Sequence, residues 1–151
     1  MADGVKIEIV SPERLLVSET AQSVTVPGSE GYFTVLGDHS PLMTTLKPGF
    51  ITAVTEAGQT QVFFVRGGFA DVAPDGLTIL AEQALPLSEF NPAEIDTDIE
   101  AAEIELAAAT TIEEKSAATE KVNAWRNLKL EAGQVRALGQ AQGQVQDNRA
   151  H

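Results

Sequence analysis

The chain has 151 residues, enough for one compact domain or one domain with an appendage, and folding at this size buries about 70% of the extended surface. With 43% hydrophobic and 21% charged residues it has globular rather than disordered composition. A net charge of -12 opposes binding to nucleic acid or anionic lipid, and the absence of cysteine excludes disulfides, thiolate metal sites and thiol nucleophiles. No run approaches the roughly 20 apolar residues that span a bilayer. Strand-like sequence begins at Val5, with no basic-then-apolar leader after Met1, so the chain reads as an unprocessed cytosolic product.

From Val5 to about Pro86 the sequence reads as short strands. VKIEIV (Val5 to Val10) alternates apolar with polar side chains, the period of a half-buried strand. RLLVSE and QSVTVP follow as two further strands, then YFTVL, PLMTTL and GFITAVTEAG. QVFFVRGGFADVAP reads as a hairpin turning at Gly67-Gly68, residues that tolerate positive φ, and Asp75-Gly76 turns the chain into LTILAEQAL. Strands at intervals of about 8 to 12 residues predict a β-sandwich or flattened barrel over residues 1–88.

After Phe90 the period changes. Asn91 is placed to cap a helix, Pro92 suits its first position and Glu94 can complete a capping box. Ile95, Ile99, Ala102, Leu106 and Ala109 then share one helical face. Thr111 and Glu114 repeat the capping pattern, and Ala118, Val122 and Trp125 share a face of a second helix. The short break predicts an antiparallel hairpin over residues 89–132. Glycine and glutamine dilute the pattern beyond it, and residues 133–151 are expected to form a flexible tail.

Chemistry is sparse. Asp38-His39-Ser40 has the residue types of a hydrolytic triad, but sequence neighbours rarely reach the required chain of contacts, and no G-x-S-x-G elbow accompanies them. His39 has no partner at metal-ligand spacing. Asp96, Asp98 and Glu100 lack the glycine and terminal glutamate of a calcium loop, and no phosphate-cradling G-x-x-x-x-G-K-[ST] motif exists. No catalytic residue, metal or cofactor is expected.

What is specific is a run of turn-forming residues: Val26-Pro27-Gly28-Ser29-Glu30-Gly31, Val35-Leu36, His39-Ser40-Pro41-Leu42 and Leu46-Lys47-Pro48-Gly49. With Gly67-Gly68-Phe69 and Leu77-Thr78-Ile79-Leu80-Ala81, this ordered set resembles the signature of the epsilon subunits of F-type ATP synthases. The order of the two regions, β-sandwich then helical hairpin, is similar too. The resemblance implies a non-catalytic rotor subunit that couples ring rotation to the catalytic head, with the gamma subunit, the c-ring and the alpha and beta subunits as partners. It would sit on the cytoplasmic side of the bacterial inner membrane through protein contacts, without binding lipid directly and without self-association. Gly28, Ser29, Glu30, Gly31 and Tyr32 of one turn, and Asp38, His39, Ser40, Pro41 and Leu42 of the next loop, match positions near the c-ring end.

The resemblance also implies a regulatory helical hairpin, with Lys115, Lys121, Arg126 and Lys129 as its basic positions. Ile95 and Asp96 match the start of the family's ATP-binding pattern, but Ile99 stands where its arginine belongs, so ATP binding is not expected. From Asn91 onward six lysines and arginines face eleven aspartates and glutamates. Attraction to an acidic partner should be weak, and so should inhibition of ATP hydrolysis. Leu36-Gly37-Asp38 replaces the proline and glycine usual before the histidine. Two alternatives from other classes are a small β-barrel enzyme or isomerase using His39 as acid or base, and a self-associating helical adaptor; the helix break and lack of heptads weigh against the adaptor.

Overall fold

The structure, a computed structural model, describes residues 4–150, with side chains described through residue 135. The chain divides into two compact units between Phe90 and Asn91, two residues beyond the boundary read from sequence.

The first unit is all β: β1 (Val5–Val10), β2 (Leu15–Gly28), β3 (Gly31–Val35), β4 (Leu42–Thr45), β5 (Gly49–Thr55), β6 (Thr60–Ala73) and β7 (Gly76–Pro86). Strands β1, β7, β6, β5 and β2 pair in that order, and β2 pairs back onto β1, closing a flattened five-stranded barrel. β1 runs parallel to β7; the other pairings are antiparallel. β3 continues the sheet beyond β2, and β4 pairs with β6. Closure removes most of the exposed strand edges that otherwise invite aggregation.

Alternation builds the core. Val5, Ile7 and Ile9 of β1 point inward with Ile51 and Ala53 of β5 and Leu77 and Ile79 of β7, all fully or almost fully buried. Each such large apolar side chain contributes about 1.5–3 kcal/mol.

Two expectations change here. RLLVSE and QSVTVP form one bent strand, because a bulge between Ala21 and Ser23 shifts the inward positions from Val17 and Ala21 to Val24 and Val26. That phase break reads as a turn in sequence. Gly67-Gly68 is not a hairpin turn either. β6 runs through it, and its pairing with β7 keeps one register from Phe63 opposite Pro86 to Ala73 opposite Gly76.

Gly67 and Gly68 hold φ of +64° and +110°, and the buried set on β6 passes from Phe63 and Val65 to Ala70 and Val72. β7 changes phase in step, from Ala84 to Ala81, Ile79 and Leu77. The kink carries the ribbon from pairing with β5 to pairing with β4. A Cβ at Gly68 would stand 2.1 Å from the Leu80 carbonyl oxygen, so no other residue fits.

In the second unit α1 (Ala93–Ala108) and α2 (Ile112–Ala150) form the expected hairpin. Asn91 Oδ1 accepts from the Ala93 amide at 3.1 Å, and Pro92 is already helical at φ -58° and ψ -23°. At the second start Thr111 Oγ1 accepts from the Glu114 amide, while Glu114 Oε2 accepts from the Thr110 amide at 3.0 Å. These backbone donors at Thr110 and Thr111 hold the Glu114 carboxyl below its ordinary value.

Among the described residues the buried positions are Ile95 and Ala102 on α1 and Ala118, Val122, Leu128 and Ala132 on α2, with Trp125 half-buried; Leu128 and Ala132 extend the stripe read from sequence. Ion pairs Asp96–Lys129, Glu103–Arg126 and Glu105–Lys121 run up one helix and down the other, fixing an antiparallel register. The helix continues past residue 133, where the sequence reading places the start of the tail.

Candidate functional site

The sandwich residues singled out from sequence lie in the turn before β3 and the loop after it. Gly28 pairs with Gly31 across a two-residue turn, Ser29-Glu30, and Gly31 takes φ +127°. Gly28 is buried because a Cβ there would meet the Phe33 ring at 2.8 Å. The space that this glycine leaves is filled by Phe33, whose ring centroid lies 6.3 Å from that of His39. One missing side chain on β2 thus seats the ring against which the β3–β4 loop rests.

Hydrogen bonds tie the turn to β4 and the segment that follows it, and tie that segment to β6. The Ser29 amide donates to the Thr45 carbonyl at 2.9 Å, and the Ser29 and Thr44 hydroxyls lie 3.2 Å apart. The Lys47 amide donates to the Pro27 carbonyl, and the Leu46 amide to the Gly68 carbonyl, both at 2.9 Å. The Tyr32 hydroxyl accepts from the Phe50 amide at 3.1 Å. A Cβ at Gly49 would come within 2.7 Å of that hydroxyl. Glycine and proline therefore set loops whose shape is fixed before any partner arrives, which lowers the ordering cost of binding.

On this frame Ser29, Glu30, Gly31 and Tyr32 are exposed, as are Asp38, Ser40, Pro41 and Leu42, with His39 half-buried between them. The loop folds back through the His39 amide, which donates to the Leu36 carbonyl at 3.1 Å. His39 Nδ1 donates to the Ser40 carbonyl at 2.7 Å. In a hydrolytic triad that nitrogen faces a carboxylate, so Asp38-His39-Ser40 is not assembled as one. Among the described residues no group of three or more His, Asp or Glu side chains is placed to hold a metal ion. The arrangement presents a shaped polar surface rather than a reacting centre.

The helical candidates are engaged within their own unit. Lys121 Nζ donates to both Glu105 oxygens at 3.1 and 3.2 Å, Arg126 Nη2 to Glu103 Oε1 at 2.8 Å, and Lys129 pairs with Asp96. Lys115 is exposed on the first turns of α2. Ile95 is wholly buried and Asp96 lies in the ion ladder, so neither is presented as a nucleotide contact.

A second surface escapes the sequence reading. Phe69 on β6 lies opposite Leu80 on β7 and Thr45 on β4, and Met43 lies two residues from Thr45 on the same face. Met43 is 67% exposed, Phe69 51% and Leu80 52%. The signal was present in the alternation: Leu77, Ile79 and Ala81 point inward, which turns Leu80 outward among polar neighbours.

Residues 4–87 match the family model described as ATP synthase, Delta/Epsilon chain, beta-sandwich domain. The ATP synthase epsilon chain of Rhizobium meliloti (strain 1021) is 49% identical over 109 residues, covering 72% of this chain and 81% of its own length. That of Mesorhizobium japonicum is 45% identical over 118 residues, covering 78% and 87%. Among solved structures, a chain of the Euglena gracilis mitochondrial ATP synthase superposes with a TM-score of 0.68 at 21% identity, over 88% of this chain and 82% of that one. A chain from the central stalk and c-ring of the Tetrahymena thermophila mitochondrial enzyme gives 0.56 at 17% identity, over 87% and 98%. The fold likeness at low identity and the sequence likeness to bacterial relatives agree, and the chain belongs to the epsilon-chain family of F-type ATP synthases, a non-catalytic subunit.

Proposed function

We propose that the loop end of the sandwich is the surface through which this chain grips the c-ring and gamma subunit, coupling proton-driven ring rotation to the catalytic head. The observation that carries this reading is that each of the two loops is braced on a strand: Ser29 is bonded to Thr44 and Thr45 of β4, and His39 rests on Phe33 of β3. A rotor element transmits torque, and loops already fixed in shape lose less of it to deformation. The apolar face of Met43, Phe69 and Leu80 is the complementary gamma contact, since the loop end is polar and a lasting subunit interface needs an apolar centre. No described helix is long and apolar enough to cross a membrane, and membrane association runs through these protein contacts on the cytoplasmic side of the bacterial inner membrane.

The helical hairpin restrains ATP hydrolysis weakly. Its basic side chains Lys121, Arg126 and Lys129 are paired to α1 carboxylates, so engaging an acidic segment of the alpha or beta subunits requires exchanging those pairs. Cysteine at position 30 or 39 in the assembled enzyme tests the loop assignment: cross-links to c and gamma are expected, and cross-links to neither would remove it. Removing residues 91–151 should change ATPase activity little; strong activation would overturn weak restraint. Purification of the tagged chain without gamma, alpha, beta and c would return attention to His39.

A further inference from the structure

Beyond the strands, the segment joining the two units has its own fastening. A 3-10 turn, Leu87–Glu89, is followed by Phe90 in extended conformation, whose amide donates to the Leu87 carbonyl at 3.1 Å. Arg14, in the connection between β1 and β2, donates through Nη2 to both Glu89 oxygens at 3.2 and 3.1 Å, across 75 positions of sequence. The Phe90 ring meets Phe50 edge-on at 5.5 Å and Phe64 at 4.5 Å.

Phe50 and Phe64 are opposed on β5 and β6. They lie outside the cluster that fills the barrel, and their inward neighbours Ile51, Phe63 and Val65 belong to it. Phe90 therefore belongs to an aromatic cluster on the outer side of the β5–β6 ribbon, and Arg66 caps that cluster with its guanidinium 5.2 Å from the Phe64 ring centre.

On the far side of Phe90 the chain is fixed again at once. The Asn91 side chain accepts from the Ala93 amide, its carbonyl accepts from the Glu94 amide, and the Pro92 ring locks its own φ. Between the two fixed stretches lie only the bonds flanking the Phe90–Asn91 peptide.

We propose that Leu87–Phe90 is a strap clipped to the sandwich unit by Phe90 and Glu89, which confines any swing of the helical unit to the backbone between Phe90 and Asn91. In sequence this stretch shows only as a change of period after Phe90. With the strap in place the unfastened backbone between the units is short, and it lengthens only when Phe90 leaves Phe50 and Phe64.

Amide hydrogen exchange on the full chain, resolved by residue, tests this. In the unaltered protein the Phe90 amide should exchange with protection like that of neighbouring β7 amides. Phe90→Ala should raise exchange at Leu87–Phe90 by about tenfold, while the amides pairing β1 with β2 stay as they were. Arg14→Gln should raise it by a few-fold through loss of the partly exposed Glu89 pair. Phe90→Leu, which keeps an apolar side chain on the two rings, should fall between the native chain and the alanine variant. Unprotected amides at Leu87–Phe90 in the native chain would overturn the strap. So would unchanged exchange in Phe90→Ala, or an equal rise over all seven strands, which would make Phe90 a prop of the whole unit instead of a clip.

Discussion

The sandwich and the helical hairpin have similar claims to being folded units but are held by different forces. In the sandwich, large side chains from strands far apart in sequence meet in one closed core, and the Ser29 turn is hydrogen-bonded to that frame. In the hairpin three of the six buried side chains among the described residues are alanines, and ion pairs whose side chains are about half exposed link its helices. Alanine contributes little burial, and exposed ion pairs contribute about 0–1 kcal/mol each. The proposed rotor contact needs a part that does not yield, and the proposed regulatory hairpin needs one that does.

The sharpest way to break this contrast is inside the sandwich. Gly68→Ala forces a Cβ into the Leu80 carbonyl at a φ of +110° and should prevent the β6–β7 kink from forming, with stability falling by several kcal/mol. Ile79→Ala, at a wholly buried position, should cost about 2–5 kcal/mol in urea unfolding. Losses under 1 kcal/mol at both sites would show that the frame is softer than its packing.

The chain carries its own reporters of the difference, since its single tyrosine, Tyr32, lies in the sandwich and its single tryptophan, Trp125, in the hairpin. In urea the Trp125 signal should be lost at lower concentration than the Tyr32 near-ultraviolet signal. Coincident midpoints would mean that the two units unfold as one. Leu128→Ala should cost about 2 kcal/mol in the first transition and leave the second in place.

Smaller effects separate the two regions further. Glu19 points to the inner side of β2, and its Oε1 is buried without a hydrogen-bond partner, so Glu19→Leu should raise the Tyr32 midpoint by about 1 kcal/mol equivalent. Lys129→Ala and Arg126→Ala should each lower the Trp125 midpoint by less than about 1 kcal/mol, an effect that 1 M salt removes.

The smallest effect concerns pH. Glu114 is held below its ordinary value in the folded chain, so its cap stabilises α2 above the unfolded-chain pKa. That stabilisation is lost as pH falls through the lower, folded value. Helicity at 222 nm should therefore drop at acid pH in the native chain, and Glu114→Gln should flatten that part of the profile.

Much of this was legible because the relevant information is local. The capping residues Asn91, Thr111 and Glu114 announce helix starts by chemistry that acts within four residues, and the stripe from Ile95 to Leu106 follows from helical period alone. The Gly28–Gly31 turn was equally plain. What failed was local as well but ambiguous: a broken alternation at Ala21–Ser23 and a glycine pair at 67–68 are each compatible with a turn or with a strand that changes face. The Met43, Phe69 and Leu80 patch was missed because no sequence motif marks it; it exists only once β4, β6 and β7 lie side by side.

By itself, then, the sequence determined two structural classes in series, the positions where backbone freedom is required, and a net charge that opposes binding to nucleic acid and anionic lipid. These follow from short-range sterics, period and composition. Only the tertiary structure decided that β2 and β6 each serve both layers of a closed barrel, that Ser29 is braced on β4 and His39 on Phe33, and that Phe90 is part of the sandwich. Each of those depends on residues of different elements coming into contact, and the free energy of such contacts exists only after the core has closed.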